Sequence, residues 1–296
     1  MQVQFPVPSL LPRRARLSRR PALALVAAAL LAGLGGCGGS PGSEIADAYS
    51  CAFTNCKSST EVAPQDLRLG GSLTREDGRV NADLGLSYRA NLLTNVRLSS
   101  PDALWLMPGQ VPVTSRSGPD GTLEAQVDST QDSWTVRLFH RGQTYDSTVV
   151  LPAPVQIRAP APASLLRSQA QFSAGLSGPS GTVPQIRLAE GDCQLADGRS
   201  ARWAGYKAGP QARLVSTSGD QSQYGVSMEA LQQSLDEAAA SALSAASTAG
   251  ISVKQCRFSL VWAHSITGTV APGLSSHGVI FGISQARQTL GYTNDR

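Results

Sequence analysis

The chain has 296 residues, among them 29 Gly and 18 Pro, and only 5% are aromatic and 16% charged. That length supports one or two ordinary domains, and sparse charge with frequent Gly and Pro excludes a coiled coil, a long helical repeat and a polybasic nucleic-acid binder. The formal charge of +4 belongs to one end: residues 1–36 hold five Arg and no Asp or Glu, which leaves 20 basic against 21 acidic residues beyond them. A near-neutral remainder has no general electrostatic draw to nucleic acid, and none is expected as a partner.

Arg13, Arg14, Arg16, Arg19 and Arg20 precede an apolar run from Ala22 to Leu34, and Gly35-Gly36-Cys37 follows it. A basic start, a short apolar stretch and small residues at its exit form a secretory signal, too short to span a bilayer comfortably. Leu34-Gly35-Gly36-Cys37 resembles the lipobox of bacterial lipoproteins, an aliphatic residue followed by small residues before the cysteine. The resemblance implies a signal peptide over 1–36, a diacylglyceryl group on the Cys37 thiol, cleavage before Cys37, and a further acyl chain such as palmitate on the new amine. Each buried CH₂ of an acyl chain contributes about 0.8 kcal/mol, and two or more chains give lasting membrane attachment. In Gram-negative lipoproteins an Asp after the cysteine marks retention at the inner membrane. Gly38 stands here, so the resemblance implies the outer membrane and a body in the periplasm.

Four cysteines remain: Cys51, Cys56, Cys193 and Cys256. An even number in an exported chain reads as two disulfides. Of the three pairings, Cys51–Cys56 closing a small loop and Cys193–Cys256 closing a long one are expected. The three His lie at no ligand spacing from a cysteine, so neither a metal nor another cofactor is expected.

Residues 37–64 are rich in Ser, Gly, Ala and Thr and read as an acylated N-terminus with a flexible tether. Short alternating runs follow over 65–160. Asp77-Gly78 precedes Val80, Ala82, Leu84 and Leu86 on one strand face. Further strands are expected at Val111–Val113, Leu123–Val127, Trp134–His140 and, past Arg141-Gly142, Thr144–Val150. The rhythm indicates a β-sandwich and resembles immunoglobulin-like and fibronectin type III-like modules, although no Cys…Trp…Cys framework is present. Closely spaced prolines from Pro152 to Pro162 indicate an edge strand running into a linker, with the domain boundary near Ala161.

Residues 161–296 read as an α+β domain, giving a mainly β chain overall. Strands are expected at 185–188, 193–195 and 202–206. Met228, Leu231, Leu235, Ala238, Ala242 and Ala246 form one helical stripe over 228–249, capped by Ser227 and ended by Gly250. Phe258 to Ile266 and Val279 to Ile283 then form a long terminal hairpin, so the helix packs on an antiparallel sheet. This stretch, with residues 147–154, is similar to uncharacterised envelope lipoproteins of Gram-negative bacteria, which implies no particular activity.

Catalytic motifs are wanting. Gly33–Gly38 matches a dinucleotide fingerprint and Gly38–Gly42 a nucleophile elbow as strings only, since neither follows a strand. His140 reads as a rim residue and His264 as a semi-buried imidazole. His277, in Ser275-Ser276-His277-Gly278, is the one imidazole among hydroxyls. Asp236-Glu237 reads as a solvated helix face, and Trp105 as core in preference to an exposed binding aromatic. The expected function is a membrane-anchored envelope lipoprotein with a binding or accessory role, its partner an envelope protein or a glycan. The alternative is a periplasmic hydrolase of cell-wall or carbohydrate material, needing a concave site where His264 or His277 meets a carboxylate. A third expectation, a component of a larger assembly, calls for an exposed apolar patch or an unpaired edge strand around Val149–Ile157.

Overall fold

Alternation at period two governs the first half of the chain. The computed structural model describes residues 56–113, 116–117, 122–179, 182–244 and 248–296. Its first strands are β1 (Cys56–Ser58), β2 (Leu67–Glu76), β3 (Arg79–Tyr88), β4 (Asn91–Arg97), β5 (Ala103–Pro108), β6 (Arg116–Ser117), β7 (Thr122–Asp128), β8 (Ser133–His140) and β9 (Gln143–Val150). Asp77-Gly78 and Arg141-Gly142 turn β2 into β3 and β8 into β9, both residues of each pair at positive φ. That geometry matches the twist of a two-residue hairpin. Val111–Val113 is loop rather than strand. Pro108 and Pro112 cannot donate to a ladder, and β8 instead pairs with β5.

β5, β8 and β9 make a three-stranded antiparallel sheet. Leu106, Trp134, Val136 and Leu138 from it share one core with Leu69 and Leu73 of β2, Val80 and Leu84 of β3 and Leu123 of β7. The body begins earlier than the expected tether end at residue 64. β1 pairs in parallel with β4, and Ser59 and Val62 are buried, so residues 56–64 belong to the folded part.

The second half continues with β10 (Gln156–Ala159), β11 (Ser164–Leu166), β12 (Gln171–Ser177), β13 (Gln185–Leu195), β14 (Ser200–Ala208), β15 (Arg213–Ser218), β16 (Gln221–Ser227), helix α1 (Met228–Ala242), β17 (Val253–Thr267) and β18 (Val279–Thr293). Ser227 accepts from the Ala230 amide as N-cap, and Met228, Leu231, Leu235, Ala238 and Ala239 are the buried face of α1. The helix stops at Ala242, short of the expected 249, because Ser244 takes a left-handed φ of 53°; Ala246 lies outside the described residues. Asp236 is no solvated residue. Its carboxylate accepts from the Val253 amide at 2.7 Å and from Gln232 at 2.7 Å, stitching α1 to β17.

β17 and β18 form the expected terminal hairpin, in register from Gln255↔Thr293 to Thr267↔Phe281. β18 also pairs in parallel with β2, from Val279↔Gly70 to Ser284↔Arg75. One large sheet therefore runs β1-β4-β3-β2-β18-β17-β13-β14, and a four-stranded sheet runs β10-β12-β16-β15. The four-stranded sheet and α1 pack over Leu188, Phe258, Leu260 and Trp262 of the large sheet in a second core. Apart from Ala271, Leu274 and Ile280, the first core ends at Leu151, and the second begins at Val155. Between residues 151 and 155 the chain thus changes core while both sides contribute to one sheet, and the described residues fall in one compact unit. The chain is mainly β, with α1 the one α-helix among the described residues. The outer edge of β9 is bridged just before residues 149–157: Thr148 and Thr269 exchange two main-chain hydrogen bonds at 2.8 and 2.9 Å.

One core contact depends on a missing side chain. Gly191 lies opposite Trp203, and a Cβ there would fall 2.2 Å from the indole. Gly191→Val is therefore expected to cost about 1–3 kcal/mol through overpacking. Denaturant midpoints check this, and an unchanged midpoint would mean that the indole has a second place to lie.

Candidate functional site

Cys37 and Cys51 lie outside the described residues. Cys56, in β1, is disulfide-bonded. Cys193 and Cys256 sit directly opposite each other on β13 and β17 and form the expected disulfide, with Cα atoms 4.0 Å apart. No group of three His, Cys, Asp or Glu among the described residues is placed to hold a metal. No described helix is long and apolar enough to cross a membrane.

The three histidines separate. His140 is not on the rim: its side chain is fully buried. Its Nδ1 lies 2.7 Å from Asp102 Oδ2 and its Nε2 3.1 Å from the Val62 carbonyl. A carboxylate and a carbonyl only accept, so each ring nitrogen faces an acceptor. Asp102 Oδ1 accepts from the Arg141 amide at 3.0 Å, and the Ser59 hydroxyl also donates to this carboxylate. Burial pushes the Asp102 carboxyl up, and the hydrogen bonds from Ser59, Arg141 and His140 outweigh it, holding the group below its ordinary value. Serine, aspartate and histidine meet here without forming a nucleophile–base pair, because Ser59 addresses the carboxylate and Nε2 is spent on a carbonyl. The cluster works as a clamp. Arg141 extends it by donating to the Thr60 carbonyl at 2.7 Å, so the segment 59–62 is fastened to the end of β8 and to the loop before β5.

His264 lies as expected, mostly buried, with Nδ1 3.0 Å from Thr182 Oγ1; burial holds it below the ordinary histidine value. Its cleft is walled by Pro152, Pro179, Val183 and Ile266, and no carboxylate is among the described residues lining it. His277 is exposed, and its amide donates to Ser275 Oγ at 3.3 Å. Ser275 Oγ thus meets the main chain of His277.

Trp105 overturns the expectation that it is core. Leu104 and Leu106 point inward, so Trp105 between them points out, and it is 38% exposed. Across the three-stranded sheet it stands in a row with Arg137 of β8 and Asp146 of β9. Arg137 Nε and Nη2 donate to the two oxygens of Asp146, each at 2.7 Å. This fork holds the Asp146 carboxyl below its ordinary value. The neighbouring rows are Ala103–Phe139–Thr144 and Met107–Thr135–Thr148. The Phe139 ring centre lies 6.5 Å from that of Trp105, at an interplanar angle of 38°. The signal was available in the sequence: the period-two pair Leu104 and Leu106 already assigns Trp105 to the opposite face.

A second concave surface lies on the outer face of the large sheet. It measures about 670 Å³ and is lined by Glu190, Asp192, Arg202, Arg257, Ser259 and Thr289 among others. Its charges largely answer one another: Arg202 pairs with Asp192, and Glu190 accepts from Ser259 at 2.8 Å and faces Arg287 at 3.8 Å.

No family model matches the chain, and no curated protein does. Among solved structures, the chain is similar to a chimeric titin Z1Z2 functionalised with a decorin peptide, at 13% identity, covering 79% of this chain and 96% of that one with a TM-score of 0.20. It is likewise similar to tandem Ig repeats of Dlar, at 10% identity, 79% and 99% coverage and a TM-score of 0.25. Scores this low assign nothing to particular residues, and the mainly β class stands on the strands themselves.

Proposed function

We propose that this chain is a lipid-anchored protein of the Gram-negative outer membrane whose periplasmic body binds or supports another envelope component. The observation that carries the reading is Leu34-Gly35-Gly36-Cys37, set between an Arg-rich apolar leader and a folded body whose described part starts at Cys56. The Cys193–Cys256 disulfide supports it, since such bonds persist in oxidising compartments. In this reading the first half is an immunoglobulin-like sandwich, with the β5–β8–β9 sheet as one layer. The second half is an α+β unit, with α1 over an antiparallel sheet. Residues 38–55 separate the acylated cysteine from β1, and the His140–Asp102 clamp secures the point where the chain enters the body.

The test is fractionation of a Gram-negative host expressing the natural chain or Cys37→Ser. The natural chain is expected in the outer membrane, carrying acyl mass on the peptide that begins at Cys37. The variant is expected without that mass and released from membranes. Continued tight membrane association of Cys37→Ser, or an intact residue 1–36 segment in the natural chain, would refute the anchor.

A further inference from the structure

We propose that the outer face of the β5–β8–β9 sheet is a glycan-binding platform, on which Trp105 stacks against the C–H face of a neutral hexopyranose. This rests on the body being a binding module, and it narrows that reading to one surface and one ligand chemistry. Of the four tryptophans, Trp134, Trp203 and Trp262 are at most 5% exposed, whereas Trp105 leaves 38% of its surface in water. An exposed indole on a sheet face keeps apolar area hydrated unless something covers it. Phe139 backs it at 6.5 Å, so two rings make a short apolar strip.

The surroundings of that strip select the cover. The Arg137–Asp146 fork is rigid and sits in the indole's own row, with both side chains partly in solvent. Its two bonds use Nε and one proton of Nη2, leaving the Nη1 donors and further carboxylate lone pairs free at fixed positions. Thr135, Thr144 and Thr148 add hydroxyls in the adjoining rows. One positive and one negative side chain leave these rows without net charge, so a polyanion such as nucleic acid or an acidic membrane gains nothing here. A protein interface needs a wider apolar patch than Trp105 and the half-buried Phe139 offer, since Met107 on the same face is already covered. A pyranose fits instead: one face is a sheet of C–H bonds, and its rim hydroxyls each donate and accept.

The buried state of the other three indoles makes the chain its own reporter. In the full mature chain, kept in a sugar-free zwitterionic detergent, acrylamide quenches mainly Trp105. The probes are the β-1,4-linked hexaoses of glucose and of N-acetylglucosamine. At least one is expected to protect Trp105 from quenching in a saturable way. By calorimetry, Trp105→Ala and Phe139→Ala are each expected to weaken that binding by roughly tenfold or more, the cost of an aromatic anchor. Trp105→Phe is expected to recover part of the loss, and the Tm of Trp105→Ala should stay close to the natural one because the side chain is exposed. Absence of saturable protection by both hexaoses at millimolar concentration overturns the proposal, as does undiminished binding by Trp105→Ala. Protection of Trp105 by a purified envelope protein and by neither hexaose overturns it in favour of a protein-docking face. Anchoring is read separately: Trp105→Ala leaves fractionation unchanged, and Cys37→Ser leaves the platform intact, so failure of one reading is distinct from failure of the other.

Discussion

His140→Ala is expected to destabilise the body by about 3 kcal/mol, through the cavity left by a fully buried imidazole and the buried acceptors left without it. The loss is no larger because Asp102 keeps the Arg141 amide and the Ser59 hydroxyl when the imidazole is gone. The Val62 carbonyl loses its partner as well, so the first segment to loosen is 59–62, and amide exchange there should accelerate before exchange in β8 does. The same clamp sets a pH dependence. The folded Asp102 carboxyl lies below its ordinary value, so in the acid window the unfolded chain binds more protons and stability rises with pH. The stabilisation is complete above about pH 4, the unfolded carboxylate value, and is lost as pH falls through the folded one. Urea midpoints of the natural chain and of Asp102→Asn, compared across that window, check the sign. Identical acid profiles would remove Asp102 as their source.

The Cys193–Cys256 bond has the other large expected effect. It joins residues 63 apart in sequence, and closing a loop of that size restricts the unfolded chain by about 4 kcal/mol in the chain-entropy model. The double variant Cys193→Ala/Cys256→Ala is expected to lose about that much relative to the oxidised chain. The cysteines face each other across two strands already held in register on both sides of the bond. The folded variant should therefore keep the Asp192↔Arg257 and Gln194↔Gln255 pairs while its unfolding midpoint falls. Equal midpoints would show that the unfolded chain is confined without the disulfide.

Local patterns carried most of the strand assignments. Val80 to Leu86, Trp134 to Leu138 and Phe258 to Trp262 each announce a buried face by composition alone, and Asp77-Gly78 and Arg141-Gly142 announce their turns. The Cys193–Cys256 disulfide is one of three pairings open to four cysteines, and the register of β13 on β17 selects it. What could not be read locally was partnership. Nothing near His140 in sequence hints at Asp102, 38 residues earlier, or at the Val62 carbonyl, 78 residues earlier, so its burial looked like a rim position. Asp236 beside Glu237 looked solvated because the amide it accepts from is at Val253, beyond the helix. Trp105 was a different failure: the alternation was present, but a large aromatic among Leu and Met invites a core reading.

The parallel seam between β2 and β18 has a consequence for how the chain comes to be folded. Gly70 pairs with Val279, 209 positions later, so the edge of β2 on that side has no native partner until nearly the whole chain is available. A long bare strand edge is a template for wrong pairing, and contacts this distant in sequence close late and slowly. The first core can gather Leu69, Val80 and Trp134 early, yet it still lacks Ile280, which arrives with β18 itself. A chain emerging stepwise would therefore carry an adhesive flank through most of its synthesis, and shielding that flank falls to whatever receives the chain.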